Sequence, residues 1–438
     1  MKFFSTGSSR ALVDLRTAVL TGMPRDGGLY LPVEIPRLPA TWIEERKADT
    51  LLEVSRRVAE LFFRDDLPPA RIADLVGDAI NFPAPLVELA PGIRVLELFH
   101  GPTLAFKDFG ARFMARLMAH LVKDDSRKLN VLVATSGDTG GAVANGFFGV
   151  EGINVLVLYP AGKVSKIQEK QIATPGGNIT PIRVKGTFDD CQRLVKRALS
   201  DPVLAGSVRM TSANSINISR LIPQIFYYVW IFFQLPRRRE IKIAVSVPSG
   251  NLGNLTAGLM AQKMGLPVIR WMAATNINDS LVRYLNSGRY QPRPSVPTIS
   301  NAMDVGDPSN FQRILELYGH RHRGIIRDIQ GRAYTDGETR QALGELYRSY
   351  RYIGDPHGAV AYQGLRDLMN GDPRIEEGIF LETAHPAKFP ETVEQVIPER
   401  VSLPSRLNRI MNQPIRSVNL SCRFTDFRDL LASSSLYR

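Results

Sequence analysis

Cysteine is nearly absent: the 438-residue chain has two, Cys191 and Cys422, far apart and outside any CxxC or metal-ligand spacing. That count excludes a disulfide framework and a thiolate metal site, and a reducing compartment such as the cytosol fits it. The six histidines are scattered and form no HExxH, so no metal is expected. No apolar run reaches the ~20 residues that a membrane span needs. The nearest to one, Ile222 to Leu235, reads as a buried helix. A concentrated basic face is also missing. Net charge is +12, from 55 Lys and Arg against 43 Asp and Glu, but the cations are dispersed, densest at Arg237-Arg238-Arg239 and around Arg321 and Arg323. Nucleic-acid binders concentrate their charge, so the excess points instead to a protein that handles anionic small molecules. Met1 to Val13 is rich in Ser and Arg and lacks acids, but Asp14 ends that texture and no cleavage-type run follows, which argues against a targeting segment. Internal repeats and low-complexity linkers are missing too.

What is present is the composition of a globular protein, 44% hydrophobic and 22% charged, long enough for two or three lobes. Residues 1–92 read as a small helical N-terminal unit. A turn at Asp26-Gly27-Gly28 leads into a short extended piece, helical periodicity covers Thr41 to Phe63 and Pro69 to Ile80, and Pro83 and Pro85 close the segment. From there β and α alternate. Strands are expected at Ile93 to Phe99, Asn130 to Thr135, Ile153 to Tyr159, Ile179 to Val184, Ile241 to Val247, Val268 to Ala273 and Ile379 to Glu382. Helices are expected at Ala142 to Phe148, Phe188 to Leu199, Ile218 to Phe233, Leu255 to Met264, Phe311 to Leu317, Glu338 to Tyr350 and Ala359 to Leu368. That order implies an α/β protein with mostly parallel sheets and helices on both faces. After about Pro404 the periodicity fades; residues 405–438 are expected to form a tail, frayed at Ala432-Ser433-Ser434-Ser435.

Five stretches carry chemistry. In Phe99-His100-Gly101-Pro102-Thr103-Leu104-Ala105-Phe106-Lys107-Asp108-Phe109-Gly110, Lys107 stands at the start of an amphipathic helix marked by Phe109, Phe113, Leu117 and Leu121. Apolar neighbours and the positive helix end both disfavour an ammonium ion, leaving part of the lysine as the free amine that Schiff-base chemistry requires. The plain alternative is a surface lysine on a first helical turn. Val247-Pro248-Ser249-Gly250-Asn251-Leu252-Gly253-Asn254 is a strand end, a glycine loop and a helix start, whose N–H groups suit a phosphate; a ligand-free turn is the alternative. Ala134-Thr135-Ser136-Gly137-Asp138-Thr139-Gly140 has the same architecture, with hydroxyls that suit an anion or merely cap the next helix. Ser212-Ala213-Asn214-Ser215-Ile216-Asn217-Ile218-Ser219-Arg220 suits a second anion, with Arg220 as its bidentate partner, or else is an N-cap cluster. Glu382-Thr383-Ala384-His385-Pro386-Ala387-Lys388-Phe389 ends the last strand, where open α/β sheets hold ligands. One half-neutral lysine, a phosphate cradle and an extra anion site together fit lysine-bound pyridoxal phosphate acting on a phosphorylated substrate.

These motifs, in this order, resemble the threonine synthases, members of fold type II of the pyridoxal-phosphate enzymes, and the resemblance runs from about Phe3 through Ile397. It implies a tryptophan synthase β-like fold with two open, mostly parallel α/β lobes and the active site between them. The catalytic core would span 93–404, with the smaller lobe at about 120–215. The family's own start matches Phe4-Ser5-Thr6 and Asp26-Gly27-Gly28-Leu29-Tyr30, which favours a bacterial-type cytosolic enzyme. Lys107 would hold the cofactor and shuttle protons. Gly250, Asn251, Leu252 and Gly253 would hold the cofactor phosphate, Thr383 would meet the pyridine nitrogen, and Asp138 would lie near the ring hydroxyl. Thr135, Ser136, Thr139, Asn214, Ser215 and Arg220, with Lys163 a weaker candidate, would bind the substrate's carboxylate and phosphate. The implied reaction turns O-phospho-L-homoserine and water into L-threonine and phosphate, in the cytoplasm, by a monomer or homodimer with no nucleic-acid or membrane partner. A related phospholyase yielding 2-oxobutyrate and a non-catalytic relative are the alternatives. The family commonly carries an aromatic residue and an acid where this chain has Leu252 and Asn254.

Overall fold

The computed structural model describes residues 1–45, 50–236 and 241–433. Part of the expected Thr41–Phe63 helix, the Arg237-Arg238-Arg239 run and the last serines lie outside those residues.

Two mostly parallel sheets organise the chain. The larger has six strands in the order Ile329–Ala333, Val268–Thr275, Ile243–Pro248, Glu377–Glu382, Ile93–Glu97 and Leu86–Ala90. Only its last pair is antiparallel. The smaller has five strands, all parallel, in the order Val418–Ser421, Ile179–Lys185, Ile153–Pro160, Leu129–Ala134 and Met210–Ser212. The central strands are buried along their whole length, as continuous Val/Ile/Leu runs require when helices cover both faces. The N-terminal unit adds a two-stranded antiparallel pair, Phe3–Ser5 with Tyr30–Pro32, and the helices Leu51–Phe63 and Pro69–Ala79.

Three departures from the sequence reading have visible physical causes. The helix expected over Ile218 to Phe233 is two, Ile218–Leu221 and Gln224–Gln234, interrupted at Pro223, whose ring cannot sit inside a helix. The periodicity of Thr41 to Phe63 resolves into Ala40–Glu45 and Leu51–Phe63, the second capped by the Thr50 side chain accepting from the Glu53 N–H. The segment after 404 is not a loose tail within the described residues. Helix Ser405–Met411 buries Leu407 with Leu104, Ile167 and Ala387. Strand Val418–Ser421 extends the smaller sheet beside Ile179–Lys185, and helix Phe424–Ser433 inserts Phe427 and Leu431 among Leu194, Val195 and Leu204. The smaller lobe is therefore built from two distant pieces of sequence.

Candidate active site

Every loop singled out in the sequence leaves the C-terminal end of a parallel strand. Thr135–Thr139 follows Leu129–Ala134, Ala213–Arg220 follows Met210–Ser212, Gly250–Gly253 follows Ile243–Pro248, and Thr383 follows Glu377–Glu382. Strand C-termini in open α/β sheets face one crevice, and here the crevice lies between the two sheets. Lys107, Thr135, Ser136, Asp138, Thr139, Asn214, Ser215, Arg220, Gly250, Asn251, Leu252, Gly253 and Thr383 all line the same cavity. Lys163 is exposed and outside that lining.

Lys107 is the first residue of helix Lys107–Val122. Its loop is zipped to the strand end that carries Thr383: the Phe106 N–H donates to Thr383 O at 2.9 Å, and the His385 N–H donates to Leu104 O at 3.1 Å. Leu104 takes a positive φ of 58° to make that path. The Lys107 Nζ lies 4.7 Å from the centre of the Phe106 ring. Burial, against the opposing pull of Asp138 and with Lys388 and Arg220 as like charges, lowers its pKa from 10.5 to about 8. The next residue, Asp108, is fully buried and accepts from the Thr103 N–H and hydroxyl at 2.8 and 2.6 Å, which fixes the loop from below.

Asp138 is already partnered. Lys388 Nζ lies 2.6 Å from its Oδ1, and Gln168 Nε2 donates to the same oxygen at 3.0 Å. Burial alone would raise this carboxyl, but Lys388 and Lys107 hold it well below the usual carboxylate range. Lys388 also donates to Thr103 O at 3.1 Å, so one buried ammonium ties the lysine loop to the hydroxyl-lined loop. The Thr135 hydroxyl oxygen accepts from the Gly137 and Gly140 N–H groups, each at 2.9 Å, and so shapes its own loop. Gly137 sits at φ 144°, where a Cβ would come within 2.3 Å of Gln168. Asn214 likewise spends its amide locally, accepting from Ala134 N at 3.0 Å and donating to Ala134 O at 2.7 Å.

The glycine loop ends at Leu252 in the left-handed conformation, φ 60°, before helix Gly253–Met264. A side chain at Gly250 would meet the Met303 Cα at 2.8 Å, which holds the cavity wall against the loop. Asn251 is locked: its Nδ2 donates to Ser215 Oγ at 2.7 Å and its Oδ1 accepts from the Ser309 N–H at 2.6 Å. Arg220 is buried, donates Nη1 to Ala213 O at 2.6 Å, and leaves its Nε without a partner. No carboxylate among the described residues pairs with it, and burial lowers its pKa to about 10. Nearby, Asn254 Oδ1 accepts from the Tyr227 and Tyr228 hydroxyls at 2.7 and 2.6 Å while its Nδ2 stays unpartnered.

Several residues in or behind the cavity wall escaped the sequence reading. Lys388 and Gln168 are the partners of Asp138; His357 lines the cavity, bonded through Nδ1 to Asp355 and accepting from the Ala302 N–H at 3.2 Å through Nε2. Asp355 Oδ2 in turn accepts from the Ala384 N–H at 3.1 Å, beside Thr383. A Ser165–Gln168 capping box was the visible signal for the helix that carries Gln168.

An ammonium-bearing helix start, a helix N-terminus with a glycine loop and an unpaired buried guanidinium, all at strand ends, define a pyridoxal-phosphate-dependent enzyme of α/β fold. Comparison agrees. The family model described as pyridoxal-phosphate dependent enzyme matches residues 82–381. A solved structure of threonine deaminase isoform 2 from Solanum lycopersicum (TM-score 0.56, 16% identity, 87% of this chain and 93% of that one) shares the fold.

Two further family models, for the threonine synthase N terminus and C-terminal region, match residues 2–80 and 358–429. The chain is 43% identical to the threonine synthase of Escherichia coli over 98% of this chain and 99% of that protein. With the Haemophilus influenzae threonine synthase it shares 44% over 99% and 100%. The crystal structure of the Escherichia coli threonine synthase superposes with a TM-score of 0.93, covering 99% of this chain and 100% of that one at 42% identity. A PLP-bound threonine synthase from Brucella melitensis gives 0.91 at 32% identity, over 100% of both chains. The chain belongs to the threonine synthase family. The C-terminal match also covers residues that the motif-based resemblance left out, in accord with their place in the smaller lobe. The residues present fit the cofactor: Asn254 Nδ2 is a buried, unpartnered donor in the wall beside the glycine loop, where a cofactor phosphate would satisfy it, and the unpartnered Arg220 Nε is left for a second anion.

Proposed function

We propose that this chain converts O-phospho-L-homoserine and water into L-threonine and phosphate, by γ-elimination followed by β-addition of water, as the last step of threonine biosynthesis. The observation that carries this reading is the convergence on one cavity of a lysine whose pKa is drawn down to about 8 and a buried arginine that pairs with no carboxylate among the described residues. Bound pyridoxal phosphate supplies the electron withdrawal that makes the substrate's Cα and Cβ protons acidic.

In this reading Lys107 carries the proton traffic. With a pKa of about 8, roughly a tenth of it is free amine at pH 7, enough for it to take a proton and return it. It removes the Cα proton, then the Cβ proton; phosphate leaves from Cγ, which is protonated; water adds at Cβ, and Cα regains its proton. Gly250, Asn251, Leu252 and Gly253 would hold the cofactor phosphate. The Thr383 hydroxyl would meet the pyridine nitrogen without charging it, and Asp138, its charge balanced by Lys388, would lie near the ring hydroxyl. Arg220 and Ser215, with Ser136 and Thr139, take the carboxylate and phosphate of the substrate. Thr135 and Asn214 contribute by holding the shape of the loop, since their polar atoms serve its backbone. The partner is this small molecule, and we place the enzyme in the cytoplasm as a monomer or homodimer. Among the described residues no helix is long and apolar enough to cross a membrane.

Incubation of the purified holoenzyme with O-phospho-L-homoserine tests the reading. Threonine and phosphate in equal amounts support it; 2-oxobutyrate in place of threonine makes the protein a phospholyase, and no turnover makes it a non-catalytic relative.

A further inference from the structure

The fold gathers cations that are dispersed in the sequence. A groove of about 1070 Å³ between the N-terminal unit and the smaller lobe is lined by Arg16, Arg25, Arg127, Lys196, Arg197 and Arg209, and by no carboxylate among the described residues. They come from five separate places: helix Leu15–Thr21, the loop after it, the approach to strand Leu129–Ala134, helix Phe188–Ser200 and the approach to strand Met210–Ser212. Asp125, outside the lining, pairs with Arg16 and Arg209 at 2.7 Å each. The Arg197 guanidinium lies over the Phe424 ring at 4.4 Å. Arg25, Arg127 and Lys196 have no ion pair among the described residues, so the groove keeps a clear positive excess.

One helix lines both this groove and the active cavity. In helix Phe188–Ser200, Phe188 and Gln192 line the active cavity, whereas Lys196, Leu199 and Ser200 line the groove. Phe188, Gln192 and Lys196 are spaced i, i+4, i+8 and share one face; each step advances about 6 Å. A smaller hollow shares Met23, Gly27 and Lys196 with the groove and reaches Ile216 and Ser309, next to Ser215 and bonded to Asn251 of the active cavity. One carboxylate, Asp307, lines that hollow, and it accepts from the Tyr290 hydroxyl at 2.8 Å.

We propose that the groove is an electrostatic approach path that raises the local concentration of the phosphorylated, anionic substrate at the cavity mouth, with Arg25 and Lys196 as its main unpaired charges. The proposal rests on the substrate class argued above. Clefts lined by one sign of charge concentrate ligands of the other, and Lys196 lies within a Debye length of Gln192 at physiological salt.

The test compares holoenzyme, the charge-reversed Arg25→Glu/Lys196→Glu variant and the charge-conserving Arg25→Lys/Lys196→Arg variant, each assayed for threonine formation across a salt series. In the native enzyme kcat/KM falls as salt rises. Charge reversal lowers kcat/KM roughly threefold to tenfold at low salt through KM, leaves kcat unchanged and flattens the salt dependence. The charge-conserving variant keeps the native values. A reversed variant with native kcat/KM and native salt slope overturns the path, as does a loss confined to kcat. Threonine formation in all three alongside either of those results sinks the path and leaves the proposed reaction standing; failure of all three to form threonine overturns both.

Discussion

Replacing Lys388 with methionine keeps most of the length of the side chain and removes the positive charge nearest to Asp138. Lys388 and Asp138 are 0% and 3% exposed, and their charged atoms are 2.6 Å apart. In Lys388→Met the Asp138 carboxylate retains one hydrogen bond, from Gln168 Nε2 at 3.0 Å, and the unbonded pull of Lys107. Breaking a buried pair from one side costs about 3–5 kcal/mol, because the remaining charge is desolvated without compensation. The double variant Lys388→Met/Asp138→Asn removes both charges and should recover at least half of that loss. The pH dependence separates this cause from lost packing. In the native protein the Asp138 pKa is depressed below 3.8, so the pair contributes its full stability above that value and loses it only as pH falls through the folded pKa. In Lys388→Met burial, the largest influence on this carboxyl, is opposed only by Lys107 and Gln168; the carboxyl is expected to rise above its unfolded value, so that protonation relieves the buried charge. That variant should therefore gain stability, relative to native, between about pH 8 and about pH 5. Urea unfolding followed by far-UV circular dichroism at the two pH values measures this. A loss below about 1 kcal/mol, or a pH slope equal to that of the native protein, would refute the reasoning.

Lys107→Ala should abolish threonine formation and leave the circular dichroism spectrum and unfolding midpoint close to native; retained turnover refutes its role. In the cofactor-free protein the rate of pyridoxal phosphate capture should rise about tenfold per pH unit below about 8 and level off above it, because only the free amine of Lys107 reacts and burial sets its pKa there; stopped-flow absorbance checks the position of the bend. Phe427→Ala opens a void between the C-terminal helix and the smaller sheet, and should cost about 3–5 kcal/mol by urea unfolding; a loss below about 1 kcal/mol means that the segment merely lies on the surface.

The site was more legible in the sequence than the outline of the fold. Lys107 stood out because its apolar neighbours and the helical spacing of Phe109, Phe113 and Leu117 are local signals, and the four loops stood out because glycines and hydroxyls follow apolar strands. Their convergence is a property of parallel sheets, whose strand ends face one crevice. What sequence did not reveal depends on pairing across the chain. Lys388 was in view within its motif, but its partner Asp138 lies 250 residues away, and a single lysine does not announce an ion pair. Asp355 and His357 stand at the start of helix Pro356–Gly371, four and two residues before the stretch Ala359 to Leu368 that read as helix, so the sequence reading passed over them. Edge strands were missed because their faces are half solvated: Ile329–Ala333 and Val418–Ser421 alternate with polar residues and carry no apolar run. The C-terminal segment was set aside for the same reason, since its few apolar anchors, Leu407, Phe427 and Leu431, are too sparse to show a period on their own.

The central claim is that the cavity is organised around a cofactor held by Lys107, with Lys388 as a buried counterion. Both lysines line or abut the same site, so a direct measurement distinguishes them: borohydride reduction of the holoenzyme, proteolysis and mass spectrometry of the reduced cofactor–peptide adduct. The account predicts one adduct, on the peptide that carries Lys107. An adduct on Lys388, or none on either lysine, would contradict it.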